Sequence, residues 1–334
     1  MKGLYYNYFY YKNYLTCKLF PNYVANYITN IFFTPRLLPQ QPYEAEFEQK
    51  TKHNIIKIPT EGYKERAAKF NEYNKEEERK DMKLNRVPEL PSEISVLEFL
   101  PEDNTIPIKP ATIVCVHGWE GRGTNFFKFI PKLTKKGFRV LAPDFPMHGN
   151  TGGTETGCHV FGFALNCILN YIKTPVILLV HSLGNGATCT NYYISDDETR
   201  NQIKGFVGIG VPDTFEDYIK KFGTSVGLDD YTNNLFLDKN SERLGIDVHY
   251  FVVSATIKYF NYPCLIVHDE KDKEVKIEWA INSSKFIPQK FQTYKIGDKE
   301  YPCLYKTSGL GHRRIMRDDK VVEVVVDFID NIQF

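Results

Sequence analysis

LLVHSLGNG, residues 178 to 186, is an apolar run that ends in a serine and then turns small. A strand that passes straight into a helix through a serine needs little side chain around it, because the two elements cross closely at the turn. Gly184 and Gly186 meet that need on the helix side. Val180, stiff and β-branched, stands where the usual G-x-S-x-G turn has its first glycine. The stretch admits two readings: an exposed, nucleophilic Ser182, or a core strand running into an ordinary helix. For an elbow, the glycines after the serine carry the close approach, Val180 packs in the sheet, and Ser182 holds strained backbone angles.

The surroundings favour a sheet. Compact apolar runs recur at SVLEFL (95–100), TIVCVHG (112–118), RVLAPD (139–144), VILLV (176–180), FVGIGV (206–211), CLIVHD (264–269) and CLYKTSG (303–309). Nearly continuous apolar runs are expected of strands buried on both faces of a parallel sheet. Between them lie helix-period stripes: Phe161, Ala164, Leu165, Ile168, Leu169 and Ile172, then Val321, Val324, Val325, Phe328, Ile329 and Ile332. Asp318 or Asp319 is available as the N-cap of the second stripe. A weaker helix is expected over 276–287. Alternation of strand and helix predicts an α/β fold, a mostly parallel sheet with helices on both faces. NIIKIP (54–59) and ISVLEF (94–99) are expected to pair antiparallel at one sheet edge.

The chain has 334 residues, 42% hydrophobic and 25% charged, with a net charge of +1. That is the balance of a globular protein with a sizeable core, and it gives no reason to expect nucleic acid as a partner. The seven cysteines lack metal-ligand spacing. Cys115 and Cys264 lie in apolar runs, where a thiol behaves as a small hydrophobe. We expect a reducing, cytoplasmic setting with no disulfide framework, no metal and no cofactor.

Residues 1–50 form an aromatic-rich extension expected to be helical, ahead of a domain over 51–334. Asn and Lys interrupt the extension throughout, which speaks against a signal peptide or a spanning helix. Packing on the protein's own body is the preferred reading of this extension over peripheral membrane contact through residues 1–33. Residues 61–90, dense in Lys, Glu and Asn, read as a charged insertion or loop. Residues 212–260 separate two core strands by more than one helix needs and read as a short helical lid, because ligands bind at the carboxyl ends of strands in such sheets.

Acyl transfer needs a nucleophile on a sharp turn, a base, a carboxylate to orient the base, and donors for the developing oxyanion. Each has a candidate at a strand's carboxyl end. Ser182 follows VILLV. VHDEKDKEV offers Asp269 and Asp272, and Asp213 after FVGIGV is a more distant rival acid. TSGLGHRRI places His312 in a glycine-flanked loop. TIVCVHGWEGRG puts Trp119 where its backbone N–H can pair with that of Leu183 as an oxyanion hole, each donor worth ~3 kcal/mol in a transition state. Among the other histidines, His181 is expected to point away from the reacting centre and His268 to be a core residue. His117 and His148 are expected to line the site from turns. Asp144 is expected to accept loop N–H groups. Arg313, Arg314 and Arg317 can attract an anionic substrate, although salt bridges to neighbouring carboxylates are the preferred reading.

From about Ser92 onward, VHGWEGRG, APDFPMHGNTGG, VHSLGNG, VHDEKDKEV and GLGHRRI resemble the α/β-hydrolase superfamily in content and order. HGWEGR and GLGHRR are also similar to a less studied bacterial-type group, in which a segment like IFFTPR (31–36) often precedes the catalytic domain. Thr151 stands where relatives often have Ser. The resemblance implies an α/β-hydrolase fold, Ser182 as nucleophile, His312 as base, Asp272 as acid in preference to Asp269, and the Trp119 and Leu183 amides as oxyanion donors. The order Ser182, Asp272, His312 is the order of that fold. The implied activity is a serine hydrolase acting on a small-molecule carboxylic ester or thioester without a cofactor. Dehalogenase and epoxide-hydrolase chemistry is disfavoured, since those relatives usually carry Asp as the nucleophile. The alternative is a non-catalytic protein of the same fold that binds a small molecule or a partner.

Overall fold

The computed structural model describes residues 2–68, 84–101, 103 and 105–334. In it the apolar runs become strands: β1 (Asn54–Pro59), β2 (Glu93–Phe99), β3 (Thr112–Val116), β4 (Arg139–Pro143), β5 (Val176–His181), β6 (Ile203–Ile209) and β7 (Cys264–Asp269). A short hairpin, β8 (Thr293–Ile296) and β9 (Lys299–Pro302), precedes β10 (Leu304–Thr307). The main sheet has eight strands in the order β1-β2-β4-β3-β5-β6-β7-β10. β1 pairs antiparallel with β2 from Asn54 opposite Glu98, and β2 runs antiparallel to β4. From β4 to β10 every pairing is parallel.

Because side chains alternate across a strand, a continuous apolar run supplies two cores at once. Val114, Val116, Leu178 and Val180 face one core, and Ile113, Cys115, Ile177 and Leu179 face the other. The first is covered by the helices Cys158–Ile172 and Leu183–Ile194, the second by Ile130–Lys135 and Asp319–Asp330. Asp318 caps the last helix, its carboxylate accepting from the N–H groups of Lys320 and Val321. All seven cysteines are free and buried.

The 8–9 hairpin was not legible as strands: its residues are largely exposed, so no apolar run marks it. Its turn signal is Gly297-Asp298, where Gly297 takes a φ of +59° that a side chain disfavours. The centre of the charged 61–90 stretch, residues 69–83, lies outside the described residues.

The extension contributes helices Lys2–Cys17, Pro21–Phe32 and Pro42–Lys50. Residues 212–260 carry helices Phe215–Ser225, Asp230–Leu244 and Val253–Ile257. The two regions meet at Phe32, whose ring lies 5.0 Å from Phe222, 5.6 Å from Phe236 and 6.4 Å from Phe215. Asn13 on the first helix donates its side-chain N–H to the Val226 carbonyl at 2.8 Å.

Candidate active site

β5 ends at His181 and the next helix begins at Leu183, so Ser182 alone makes the turn. Its φ of 53° and ψ of −120° are strained for a residue with a side chain. The surroundings over-determine it. The Ser182 N–H donates to the Ile209 carbonyl at 2.9 Å, and the Ser182 carbonyl accepts from both the backbone and side-chain N–H groups of Asn185. A methyl group on Gly184 would lie 2.7 Å from the Val116 carbonyl oxygen and 2.9 Å from Val180 Cγ1. Val180 itself is fully buried in the sheet. The bare position that the elbow needs is therefore 184, and Val180 fills space beside it.

His312 Nε2 lies 2.7 Å from Ser182 Oγ, and His312 Nδ1 lies 2.6 Å from Asp272 Oδ2. The other Asp272 oxygen accepts from the N–H groups of Glu274 at 2.8 Å and Val275 at 2.9 Å. Burial alone would push the Asp272 carboxyl up; the bond and charge of His312 and the two amides outweigh it and hold it below the ordinary value.

Asp269 and Asp213 are otherwise engaged. Asp269 accepts from Thr307 Oγ1 at 2.8 Å and from the N–H groups of Leu310 at 2.9 Å, Gly309 at 3.2 Å and Lys271 at 3.0 Å. Burial opposes its charge, but these donors hold it down at about 2. It pins the loop that carries His312 to the end of β7. Asp213 accepts from the Ser254 N–H at 2.8 Å and from the side chains of Asn282 and Ser283, tying the 212–260 excursion to the helix Ile277–Lys285.

The expectation for His181 needs correction. Its ring does not turn away: it lies 4.9 Å from the His312 ring, and its Nε2 lies 3.0 Å from the His312 carbonyl oxygen. Loss of hydration and repulsion by His312 lower its pKa to about 3, so it stays neutral and donates that hydrogen bond. His268 is buried in β7, its Nε2 3.0 Å from the Val275 carbonyl oxygen.

Across the cleft, Gly118 approaches so closely that an added methyl would lie 2.9 Å from Ser182 Cβ. This brings the Trp119 backbone beside the elbow. Leu183, first in its helix, has an N–H with no intrahelical acceptor. His117 accepts from the Phe145 N–H and donates to the Gly118 carbonyl; His148 accepts from the Glu120 N–H and donates to the Pro146 carbonyl. Burial keeps both neutral, His148 at about 4. Asp144 accepts from the N–H groups of Gly123 and Asn150.

Two residues that sequence reasoning did not single out hold this loop. Arg36 forms a two-pronged ion pair with Glu120, both contacts 2.7 Å, and donates its backbone N–H to the same carboxylate at 3.1 Å. Glu120 takes a left-handed φ of 56°. Among the described residues, Arg313 is the one arginine near His312 that reaches a carboxylate, Glu274 at 3.4 Å between exposed side chains. Arg314 donates to the Gly309 and Leu310 carbonyls, and Arg317 lies over the Tyr43 ring at 5.2 Å.

Ser182 and His312 open into a cavity of about 710 Å³. Phe32 and Phe33 from the extension and Phe215, Tyr218 and Phe222 from the 212–260 region line it.

A family model described as alpha/beta hydrolase fold matches residues 111–248. An esterase of Pyrococcus furiosus superposes over 90% of this chain and 98% of its own, with a TM-score of 0.55 at 14% identity. The chain has the α/β-hydrolase fold. The monoacylglycerol lipase of Paleococcus ferrophilus shares this fold over 72% of the present chain and 99% of its own, with a TM-score of 0.53 and 17% identity. Est1E from Butyrivibrio proteoclasticus, with ferulic acid bound, matches 71% of the chain and 96% of its own, with a TM-score of 0.51 at 17% identity. No curated protein matches the sequence. Within this hydrolase fold, Ser182 occupies the β5-to-helix turn. His312, expected in an open loop, lies instead in the short helix Gly311–Arg314 after the last strand of the main sheet.

Proposed function

We propose that the protein is a serine hydrolase acting on a carboxylic ester or thioester through an acyl-enzyme. The observation that carries this reading is the unbroken hydrogen-bonded series Ser182, His312, Asp272, with contacts of 2.7 and 2.6 Å. Ser182 Oγ attacks the substrate carbonyl carbon while His312 Nε2 takes its proton; Asp272 holds the imidazole and stabilises its cation. The Trp119 and Leu183 amides donate to the tetrahedral oxyanion. Collapse breaks the bond to the alcohol or thiol, which leaves with the proton from His312. Water, deprotonated by His312, then releases the acid.

The cluster of rings that lines the cavity, Phe32 packed against Phe215, Tyr218 and Phe222, favours an apolar acyl or leaving group. Residues 212–260 act as the lid, and residues 1–50 pack against it and add Phe32 and Phe33 to the cavity lining. The free, buried thiols support a cytoplasmic location.

A fluorophosphonate probe tests the reading: it labels the wild type and fails to label Ser182→Ala. A folded wild type that resists labelling is instead a non-catalytic binding protein of this fold. Rates on p-nitrophenyl esters of increasing chain length then define the acyl group.

A further inference from the structure

We propose that the N-terminal helical hairpin, Lys2–Cys17 and Pro21–Phe32, docks the protein on an anionic lipid membrane surface. One side of the hairpin is committed to the protein: Cys17, Val24, Ala25 and Ile28 are buried in the first core. The other side exposes large apolar and aromatic side chains among lysines and asparagines such as Lys12, Lys18, Asn22 and Asn26. Tyr8, Tyr11, Leu15, Leu19, Phe20 and Tyr23 are between 61% and 74% exposed. On the first helix, 8, 11 and 15 repeat at i, i+3 and i+7, which is one helical stripe, and Leu19 and Phe20 extend it into the turn. So many large, exposed apolar and aromatic side chains on one hairpin mark an interaction surface.

Charge selects the partner. Residues 1–43 contain Lys2, Lys12, Lys18 and Arg36 and no carboxylate side chain. Arg36 is neutralised by Glu120, which leaves a lysine-bearing hairpin. Lys18 lies over the Tyr14 ring at 4.9 Å, so cation and aromatic belong to one surface. Tyrosine-rich faces with lysines suit the headgroup level of a bilayer, and basic residues add attraction to anionic lipid. Among the described residues no helix is long and apolar enough to cross a membrane, so the contact is peripheral.

The position is also functional. The second helix runs directly into Ile31, Phe32 and Phe33, which line the cavity holding Ser182. The docked hairpin and the cavity wall are one continuous element, so an acyl ester leaving the bilayer reaches an apolar wall first. This last step rests on the hydrolase reading; the docking does not.

Vesicle flotation of the full chain is the test. We expect binding to phosphatidylcholine vesicles that contain phosphatidylserine, weakened by salt and nearly absent on phosphatidylcholine alone. Leu15→Ser/Leu19→Ser/Phe20→Ser and Lys12→Glu/Lys18→Glu should each lower the partition about tenfold or more. Thermal unfolding and probe labelling of Ser182 should stay at wild-type values, showing an intact fold. The proposal is overturned by no flotation with either vesicle, by flotation that both variants retain, or by a dimer that the same variants dissociate. Flotation by a protein that resists the fluorophosphonate leaves docking in place and removes only the hydrolase reading.

Discussion

Arg36 and Glu120, 84 residues apart, form a two-pronged ion pair that fastens the N-terminal extension to the loop beside Ser182. Glu120 follows Trp119 directly, so the pair fixes a backbone whose amide is assigned to the oxyanion. Replacing Arg36 by Ala should lower kcat about tenfold or more with a smaller change in KM, because a displaced donor loses transition-state binding. Arg36→Lys should recover part of the loss, since it keeps the charge and not the fork. Steady-state kinetics on a p-nitrophenyl ester read both; a change confined to KM would instead assign Arg36 to substrate binding.

The two aspartates of VHDEKDKEV should separate by measurement. Asp272→Asn should reduce kcat about ten-thousand-fold with little change in stability, because the imidazole loses its orienting carboxylate. Asp269→Asn should act on stability. Its pKa of about 2 lies below the ordinary carboxylate value, so its contribution is present above about pH 4 and is lost as pH falls toward 2. Urea unfolding should show a deficit of about 2 kcal/mol at pH 7 that narrows below pH 4.

At the elbow, the decisive small residue is Gly184. Gly184→Ala drives a methyl against the Val116 carbonyl and Val180. It should lower kcat about a hundredfold by moving Ser182 against its base. Val180→Gly restores the usual motif but should cost about 2 kcal/mol in stability by leaving a cavity, with no gain in kcat. A more active Val180→Gly variant would show that the valine hampers the nucleophile.

His159 is buried with no hydrogen-bond partner at either ring nitrogen among the described residues, and burial with the nearby Arg86 and Arg243 lowers its pKa to about 3. Here the folded state refuses a proton that the unfolded chain accepts. Stability therefore falls as pH drops below about 6.5 and continues to fall toward the folded value. His159→Leu should flatten the decline, retaining about 2 kcal/mol at pH 5 that the wild type loses. His181 and His148 add to the same acid sensitivity. Thermal melts between pH 7 and pH 5 measure it.

The sequence by itself determined the sheet. The central apolar runs, from Ile113 to Asp269, are apolar enough on both faces that burial in a two-sided sheet is their only good solution, whereas β10 at the edge is only half-buried. Ser182, Asp272 and His312 were legible as candidates because each follows the carboxyl end of a strand, β5, β7 and β10 respectively. What only the tertiary structure decided is how neighbours divide the work. Asp269 and Asp272 are chemically alike, and a three-residue difference in the loop sends one to the His312 ring and the other to the backbone beneath it. Local pattern suggested that His181 turns away, yet the crossing of β5 and the His312 loop makes the His312 carbonyl its nearest polar partner. IFFTPR was visible as a segment, but its target was not: the meeting of Arg36 with Glu120 depends on where a helical extension folds back, and that is set by the packing of Phe32 on Phe222 and Phe236, distant in the chain. Val180 belongs to the same class. A strand pattern cannot say which of two small positions a crossing helix requires; the approach of the helix to Val116 makes it Gly184.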